Sequence, residues 1–543
     1  MSKDAVLGLD GATWDLMTPL AAEGFLPNLQ KVVQEGSWGE LESTLPPVTA
    51  PAWASFATGK NPGKTGLFDF LMPRDSLANL SPVTSRDISG ETLYEIIDDH
   101  GLNTILINLP LSYPPRTQQP TITCMLTQGT QFIFPPGLKR TIPELADYRL
   151  VPDFNLRAQG RLQDYAQDIR ALERVRSTCA QKLFHTDWDL FFLLFSGTDW
   201  IQHDLYEKML SNALPRGHAA FQLLRDIDGY IGWFHEHLPR EAYLLIMSDH
   251  GFRSYKGTFL LNQWLRESKL LSAHFVKQPP RVYSHLVEKG MTEAVTRRSS
   301  ERNRVATVLS SVRLLAAQEM DHLRSRRFQA VIEELNPARM GRLAAIDYSK
   351  TLATCTSPQL SGIYVNSAAK FRDGIVPDRD LQSVKHLIMA GLQELRDPTT
   401  GEPAFAGVMD NGQAYSGEKA SLGPDIVISP QDWLVMPQVT PTSRASLFMR
   451  RPINSHARTG MFLGYGPGVR RNHRIHGARI EDIAPTILYL LGLPCPADLD
   501  GHILTELLDS PVAAKAEPDQ PLRIHEQRRI GRTLGRLKDS RSI

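Results

Sequence analysis

Six aspartate and histidine residues of this sequence combine side chains of the types that bind divalent cations with a regular placement along the chain. Three short apolar runs, at residues 5–9, 190–195 and 243–247, are each followed within four residues by an aspartate. Carboxylate oxygens and imidazole nitrogens are the donors expected of Zn²⁺ or a similar divalent transition metal. The set is large enough for two ions about 4 Å apart, the usual clamp for phosphoryl transfer. The six residues are Asp10, Asp199, His203, Asp249, His250 and His456.

Each of these residues also has an ordinary structural role available to it. Asp10 could cap a turn, Asp199 could cap a helix, and His250 could be a satisfied histidine of the core. Two features favour a site instead. Asp199 and His203 are four residues apart, so on a helix they share one face. The aspartates also recur at the ends of predicted strands, where the active sites of α/β proteins gather.

A hydroxyl residue, Thr49, lies in the stretch TLPPVTAPAWASFATGKNPGKTG at residues 44–66. Pro51 favours the first turn of a helix, because its missing N–H would have no partner there anyway. This places Thr49 at or just before a helix N-terminus. Free backbone N–H groups and the helix dipole make such an end a seat for a phosphate or another oxyanion. A plain helix cap is the alternative.

The elements that must position these residues alternate between strand and helix. This alternation predicts an α/β fold with a mostly parallel sheet. Residues 110–162 are rich in Pro, Thr and Gln and predict a loop-rich excursion. The predicted strands are 5–9, 104–108, 190–195, 243–247, 425–428 and 461–464, and the predicted helices are 27–35, 91–100, 163–184, 221–237 and 481–491.

At 543 residues the chain is too long for one simple core. We divide it into a catalytic core in two parts, residues 1–271 and 345–508, separated by an arginine-dense helical insertion at 272–344. That insertion is either a solvated surface or a cap that gathers an anionic substrate. Residues 509–543 have the composition of a linker and a basic tail, which is either a solvated arm or a docking segment for an anionic surface.

Composition narrows the class of protein further. The formal net charge is +1, which gives no overall attraction for nucleic acid. No apolar run approaches the 18 or more residues that span a bilayer. The four cysteines are far apart and form no CxxC pair, as expected in a reducing compartment. The N-terminus has no signal-peptide pattern, so we expect a cytoplasmic protein. The oligomeric state stays open.

Five segments carry a family resemblance in order and in spacing. They are LGLDG at 7–11, TAPAWASFATG at 49–59, GTDWIQH at 197–203, SDHGF at 248–252 and SHARTGMFLGYGPGV at 455–469. Across most of residues 4–270 and 345–495 the chain resembles the alkaline phosphatase superfamily, within it the type I phosphodiesterase/nucleotide pyrophosphatase branch and its predicted phosphohydrolases and phosphomutases. The resemblance implies a three-layer α/β/α fold with a helical insertion.

The resemblance also implies roles for the individual residues. Two divalent ions, Zn²⁺ by best fit with Mn²⁺ also suited, would act on a small phosphoester. Thr49 would be the nucleophile of a covalent phosphothreonine mechanism. One ion would be held by Asp10, Thr49, Asp249 and His250, and the other by Asp199, His203 and His456.

The sequence departs from related enzymes where substrate is bound. Nucleotide pyrophosphatases have a phosphate-contacting Asn downstream of the nucleophile, whereas residues 66–70 here read GLFDF. The arginine of alkaline phosphatases has no assigned equivalent. A sulfatase is disfavoured because Trp53 stands where its arginine would be. The candidate cations are Lys60, Lys64, Arg253 and Lys256, each of which could equally be a surface charge.

The sequence therefore predicts a metal-dependent phosphohydrolase of the phosphodiesterase/nucleotide pyrophosphatase type. Two alternatives stay open. One is a phosphomutase of the phosphoglycerate mutase kind, in which the phosphoenzyme returns its phosphoryl group to the substrate. The other is a catalytically silent protein that binds a phosphorylated ligand.

Overall fold

The computed structural model describes residues 2–276, 343–357, 361–437 and 446–510. Its helices are α1 Trp14–Ala22, α2 Pro27–Glu35, α3 Thr49–Thr58, α4 Pro62–Thr65, α5 Leu93–Asp99, α6 Leu138–Thr141, α7 Phe154–Ala158, α8 Leu162–Phe184, α9 Gly197–Leu210, α10 Ala219–Glu236, α11 Leu261–Glu267, α12 Asp378–Gln393, α13 Asn411–Ala414 and α14 Ile483–Leu491. Within the described ranges, none of the helices combines the length and the apolar character needed to cross a membrane.

The strands of the described residues form one large sheet and several small ones. They are β1 Lys3–Leu9, β2 Ser37–Glu42, β3 Leu71–Pro73, β4 Leu80–Pro82, β5 Thr104–Ile107, β6 Thr121–Ile122, β7 Ile133–Phe134, β8 Leu190–Phe195, β9 Ala242–Met247, β10 Gly251–Tyr255, β11 Gly257–Leu260, β12 Ala273–Val276, β13 Leu343–Ile346, β14 Ala353–Thr354, β15 Gly362–Val365, β16 Phe405–Asp410, β17 Ile426–Pro430, β18 Trp433–Met436, β19 Phe448–Met449, β20 Ile453–Ala457, β21 Thr459–Tyr465 and β22 His473–Arg479.

The large sheet has nine strands in the order β22-β2-β21-β9-β1-β8-β5-β6-β7. Only the pairs that involve β21 or β7 are antiparallel. The prediction of a mostly parallel central sheet is therefore confirmed. At the centre, β1 pairs in parallel with β8 on one side and with β9 on the other. The carboxyl ends of these three strands consequently meet at one edge of the sheet.

Both faces of this sheet are covered by helices, which explains why its central strands are apolar throughout. On β1, Ala5 and Leu7 join a core with residues of α1, α2, α8, α9 and α10. Val6 points the other way, into a core with residues of α3, α5 and α14. The alternation of side chains along one strand thus feeds two separate cores. The predicted three-layer α/β/α fold is confirmed.

The predicted elements agree with the structure where periodicity was strong. The helix predicted at 27–35 has those bounds, and the one predicted at 163–184 begins one residue earlier. Residues 110–162 contain mostly loops with short elements, as expected. His456 lies just ahead of β21 and is itself part of β20, a short strand that was not predicted and that pairs with β10 in an antiparallel ribbon. The polar segment INSHA gave no strand signal.

A smaller lobe lies in the chain between β9 and β21 of the central sheet. Its strands form an antiparallel sheet, β14-β15-β17-β16, and a three-stranded sheet, β18-β11-β19. Its core is separate and includes Phe259, Ile363, Ile388 and Trp433. Residues 425–428, predicted as a strand of the catalytic core, belong to this lobe as part of β17. Apolar periodicity identifies such a strand but does not say which sheet it joins.

The arginine-dense insertion, predicted at 272–344, lies largely outside the described residues. At its base β12 pairs antiparallel with β13, so the chain leaves and returns at the same place. The basic tail beyond residue 510 also lies outside the described residues. The division of the chain into two core parts, an insertion and a tail therefore stays a prediction.

A buried ion pair supports the start of α9, the helix that follows β8. Arg176 Nη1 donates to both carboxylate oxygens of Glu173, each at 2.9 Å, and both side chains are at most 1% exposed. Glu173 Oε1 also accepts a hydrogen bond of 2.7 Å from the backbone N–H of Gly197, the first residue of α9. Burial keeps the pKa of Glu173 raised even beside the arginine.

We predict that Arg176→Met lowers the free energy of unfolding by about 3 kcal/mol, because it leaves a buried carboxylate without its partner. The matched control is Arg170→Met on the same helix, whose pair with Asp226 is about one-third exposed. That control should cost about 1 kcal/mol or less. Urea titration followed by circular dichroism measures both. Equal losses of unfolding free energy in the two variants would contradict the role of the buried pair of Arg176 and Glu173 in stability.

Candidate active site

Three aspartates lie at the shared carboxyl edge of β9, β1 and β8. Asp10 directly follows β1, Asp199 lies in the first turn of α9 after β8, and Asp249 comes two residues after β9. The three are 8% exposed or less. The backbone N–H of Gly11 donates a hydrogen bond of 3.2 Å to Asp249 Oδ1 and links the ends of two neighbouring strands. The parallel sheet therefore brings together residues up to 239 positions apart in the sequence.

Asp10, Asp249 and His250 form a first group of donor atoms. One donor atom from each residue lies within 4.8 Å of the others. His250 Nε2 is 3.6 Å from Asp10 Oδ1 and 3.4 Å from Asp249 Oδ2. All three side chains are at most 1% exposed. We call these residues the first cation group.

Asp199, His203 and His456 form a second group with the same 4.8 Å limit. Asp199 Oδ1 lies 3.2 Å from His456 Nε2 and 3.4 Å from His203 Nε2. The two imidazole nitrogens are 3.2 Å apart. Asp199 and His203 share one face of α9, whereas His456 arrives on β20 from the far end of the chain. We call these residues the second cation group.

The imidazoles of His250 and His456 are held so that one nitrogen faces the donor groups. His250 Nδ1 is 3.0 Å from the carbonyl oxygen of Gly251, and His456 Nδ1 is 3.0 Å from that of Pro47. Since a carbonyl oxygen only accepts, Nδ1 carries the proton of each neutral ring and Nε2 keeps its lone pair. The two rings stack with centroids 3.7 Å apart and planes at 19°. Such carbonyl partners are typical of histidines that bind metals.

Thr49 is the first residue of α3, as the sequence predicted for a residue at a helix N-terminus. Its Oγ1 lies 3.4 Å from Nε2 of His250, a member of the first cation group. Pro51 occupies the first turn without leaving a hydrogen bond unmade. The side chain of Thr49 is 3% exposed. Its hydroxyl thus faces buried donors beside the positive end of a helix dipole.

Burial and mutual repulsion dominate the electrostatics of the first cation group. Burial, then the charges of Asp249 and Asp199, raises the pKa of Asp10 well above its ordinary value. Burial raises the pKa of Asp249 to about 7. The same burial, followed by the nearby charge of His456, holds the pKa of His250 well below its ordinary value. Without a cation, this group therefore holds protons that a cation would displace.

The second cation group has the opposite character. Burial opposes the charge of Asp199, but His203 and His456 outweigh it and hold the pKa of Asp199 well below its usual range. Burial likewise opposes a charged His456, yet the hydrogen bond and charge of Asp199 leave its pKa raised. The ionised form of Asp199 and the protonated form of His456 thus stabilise each other.

Three carboxylate oxygens of the two cation groups are buried and have no well-aligned hydrogen bond. They are Asp10 Oδ1, Asp249 Oδ2 and Asp199 Oδ1. Buried polar atoms are normally hydrogen-bonded, because leaving one without a partner is costly. Each of these oxygens points toward an imidazole Nε2 of its own group. Oxygen and nitrogen lone pairs that converge in this way fit a divalent cation in each group.

The cationic side chains considered for substrate binding are occupied by carboxylates. Lys60 pairs with Asp498, Lys64 with Asp500, and both Arg253 and Lys256 with Asp432. No contact places any of them against Thr49 or a cation group in the described residues. These ion pairs favour a structural role for the four cations over a role in substrate binding.

Sequence reasoning missed three residues that hold the donors in place. The ring of Phe252 lies edge-on to His203 at 4.9 Å and to His456 at 5.6 Å. Thr198 and Gln202 donate hydrogen bonds to the backbone of residues 10 and 11. All three lie inside the conspicuous segments GTDWIQH and SDHGF. Their position within these two segments was the signal that could have identified them, since none of the three side chains carries a charge.

Comparison with known proteins gives a family match over most of the chain. The profile of the family described as type I phosphodiesterase/nucleotide pyrophosphatase matches residues 5–354. These residues contain Thr49, the whole first cation group, and Asp199 and His203 of the second. His456 lies beyond the matched range.

Individual proteins are more distant. A 2,3-bisphosphoglycerate-independent phosphoglycerate mutase of Laribacter hongkongensis (strain HLHK9) is 51% identical over 41 residues, which is 8% of this chain and 8% of that protein. The phosphonoacetate hydrolase of Sinorhizobium meliloti 1021, solved with phosphonoacetate, aligns with a TM-score of 0.53 at 13% identity, covering 90% of this chain and 95% of that one. Human ectonucleotide pyrophosphatase/phosphodiesterase 5 aligns with a TM-score of 0.49 at 14% identity, covering 94% and 100%. The phosphonoacetate hydrolase therefore shares the fold of this chain.

We predict that Asp249→Asn stabilises the metal-free protein at pH 8. The folded pKa of about 7 exceeds the ordinary value of 3.8, so the stability contributed by this group is present below pH 3.8 and lost as the pH rises through 7. Asparagine removes the buried charge and can still accept from Gly11. In chelator, the variant should melt at least about 2 °C above the parent at pH 8, with a smaller difference at pH 5.

The control for this measurement is Asp204→Asn. Asp204 accepts two hydrogen bonds from the guanidinium of Arg157, so its replacement should lower the melting temperature at both pH values. Differential scanning fluorimetry measures all three proteins. A melting temperature of Asp249→Asn below that of the parent at pH 8 would show that Asp249 is not a destabilising buried charge.

Proposed function

Because the chain belongs to the type I phosphodiesterase/nucleotide pyrophosphatase family and is a hydrolase acting on phosphoester bonds, we propose that it is a metal-dependent phosphodiesterase or nucleotide pyrophosphatase with Thr49 as its nucleophile. One observation carries this proposal. The hydroxyl of Thr49 lies at a helix N-terminus, 3.4 Å from His250 of the first cation group, and stacked imidazoles join that group to the second.

The proposed cofactors are two divalent ions. Asp10, Asp249 and His250, with the hydroxyl of Thr49, would hold one, and Asp199, His203 and His456 would hold the other. When bound, such ions lower the pKa of a hydroxyl group and neutralise charge on the attacking and leaving oxygens. The mixture of carboxylates and imidazoles suits Zn²⁺ best, and Mn²⁺ also fits.

Thr49 carries the covalent chemistry in this proposal. Its deprotonated Oγ1 attacks phosphorus in line, so an Oγ–P bond forms and the P–O bond to the leaving group breaks. The product is a phosphothreonine. Water then forms a new P–O bond from the vacated side, the Oγ–P bond breaks, and Thr49 is restored. Backbone N–H groups in the first turn of α3 stabilise the equatorial phosphoryl oxygens throughout.

The proposed substrate is a small phosphoester. No motif in the sequence selects a nucleoside, because the segment GLFDF replaces the asparagine-bearing region of the nucleotide pyrophosphatases. The ion pairs of Lys60, Lys64, Arg253 and Lys256 leave these four cations committed to carboxylates. A phosphodiester, which carries a single negative charge, therefore fits the site better than a dianionic monoester, whose second charge calls for a dedicated arginine or lysine.

A phosphomutase is the second candidate function. The observation that favours it is the local identity of 51% over 41 residues with a phosphoglycerate mutase. The same phosphothreonine would then return its phosphoryl group to the substrate instead of to water. A silent phosphate-binding protein is less favoured, because both donor groups are complete. We also propose a cytoplasmic location, since all four cysteines are unpaired.

We predict that Thr49→Ala and His250→Ala each lower kcat on bis-p-nitrophenyl phosphate at least about 100-fold after loading with Zn²⁺ or Mn²⁺. Thr49→Ala removes the attacking oxygen, and His250→Ala removes a donor of the first cation group. The control is Thr58→Ala, which removes another buried threonine of α3 whose hydroxyl donates only to the carbonyl oxygen of Ala54. Parental activity in both site variants would refute the mechanism.

The two candidate functions make opposite predictions about the fate of the phosphoryl group. A hydrolase should release one inorganic phosphate or phosphomonoester for each ester bond broken. With either function, protein that is acid-quenched during turnover of a substrate labelled in its phosphoryl group should carry the label on Thr49. Incubation with labelled 3-phosphoglycerate, followed by chromatography, tests the alternative. Formation of 2-phosphoglycerate without release of phosphate would establish the mutase and overturn the hydrolase.

A further inference from the structure

Helix α9 carries two pairs of residues with the same spacing of four. Asp199 and His203 belong to the second cation group. Thr198 and Gln202 stand one position earlier, and their side chains are 0% exposed. A spacing of four places the members of each pair on one side of the helix. One pair thus faces a cation group while the other is free to contact a neighbouring segment.

That neighbouring segment is the backbone of residues 10 and 11. Thr198 Oγ1 donates to the carbonyl oxygen of Asp10 at 2.6 Å and also lies 3.1 Å from that of Phe195. Gln202 Nε2 donates to the carbonyl oxygen of Gly11 at 2.9 Å and to that of Thr198 at 2.9 Å. Consecutive carbonyl groups after β1 are therefore tied to consecutive turns of α9.

The same short segment reaches the first cation group on its other side. Asp10 supplies a carboxylate to that group, and the backbone N–H of Gly11 donates to Asp249 Oδ1 at 3.2 Å. Gly11 has a φ of +65°, which favours glycine. A Cβ atom there would lie 3.1 Å from the ring of Phe252 and 3.3 Å from Asp199 Oδ1. The segment is thus packed between the two groups without spare room.

We propose that Thr198 and Gln202 are positioning residues that fix the separation of the two cation groups. This inference rests on the proposed two-metal function. Two-metal catalysis needs ions about 4 Å apart, each aligned with one oxygen of an in-line displacement. The hydrogen bonds from α9 transmit the position of Asp199 and His203 to Asp10 and Gly11. Without these hydrogen bonds, each cation group keeps its own donors, but the distance between the two groups is no longer fixed.

The test compares Thr198→Val and Gln202→Met, which keep side-chain volume and remove the donors. Thr198→Ser keeps the hydroxyl and serves as the rescue. Thr58→Val is the matched control, because it also removes one hydrogen bond from a buried threonine to a helix carbonyl. Each protein is loaded with Mn²⁺, and electron paramagnetic resonance records the spin coupling between the two ions. Turnover of bis-p-nitrophenyl phosphate is measured on the same samples.

We expect Thr198→Val and Gln202→Met to bind two Mn²⁺ each but to show weakened spin coupling. Their kcat should fall at least about tenfold, with KM changed less than about twofold, since loss of alignment acts on the transition state. Thr198→Ser and Thr58→Val should keep the parental spectrum. Parental coupling and kcat in both donor-free variants would overturn the inference, as would an equal effect of Thr58→Val.

The spectroscopic measurement separates this inference from the proposed function. A parent protein that binds two coupled Mn²⁺ ions but cleaves no phosphodiester would refute the function, while the coupling in the variants still tests Thr198 and Gln202. A parent that binds fewer than two ions would overturn both. Melting curves in chelator identify a variant that has lost its fold. If one of the two donor-free variants has lost its fold, the other variant still tests the inference, because the loss of either side chain alone is expected to alter the spin coupling.

Discussion

Three carboxylates, those of Asp10, Asp199 and Asp249, are buried together at one edge of an apolar sheet. Like charges in such surroundings repel one another and lose the solvation that water provides. Burial and mutual repulsion raise the pKa values of Asp10 and Asp249, whereas His203 and His456 hold the pKa of Asp199 low in spite of its burial. The fold tolerates this arrangement because the large cores on both faces of the sheet supply stability elsewhere. The same cost would favour the binding of a divalent ion at this edge, since such an ion would relieve repulsion and desolvation together.

The other residues around the site hold the three aspartates and the histidines in position at this edge of the sheet. The central strands align the ends at which the aspartates occur, and the buried pair of Glu173 and Arg176 supports the start of α9. Backbone carbonyl groups orient the imidazoles of His250 and His456 from behind. None of these partners is itself a candidate donor to a cation. The structure thus separates the candidate cation donors from the residues that fix their positions, as functional sites on rigid scaffolds commonly do.

Much of this arrangement was predictable from the sequence, because an apolar run that ends in an aspartate has few interpretations in an α/β protein. The mostly parallel sheet followed from the alternation of strands and helices, the three layers followed from the resemblance to a family, and both are confirmed. The place of His456 within β20 was not predictable, since pairing between distant polar segments leaves no periodic trace. The smaller lobe was missed for a related reason: apolar patterns identify strands but not the sheet that each joins. Thr198 and Gln202 were overlooked because hydrogen bonds to backbone carbonyl groups require no charge.

The position of β21 in the central sheet has a consequence for biosynthesis. This strand, residues 459–465, lies between β2 and β9, which are themselves more than 200 residues nearer the N-terminus. A nascent chain that has emerged from the ribosome only as far as the insertion therefore leaves both edges of β2 and one edge of β9 unpaired, because β2 pairs with β21 and β22 and β9 pairs with β21. Such edges are the usual starting points of aggregation. The central sheet is complete only after the last quarter of the chain, which contains β21 and β22, has been translated. Chaperones that shield strand edges should matter most before that point.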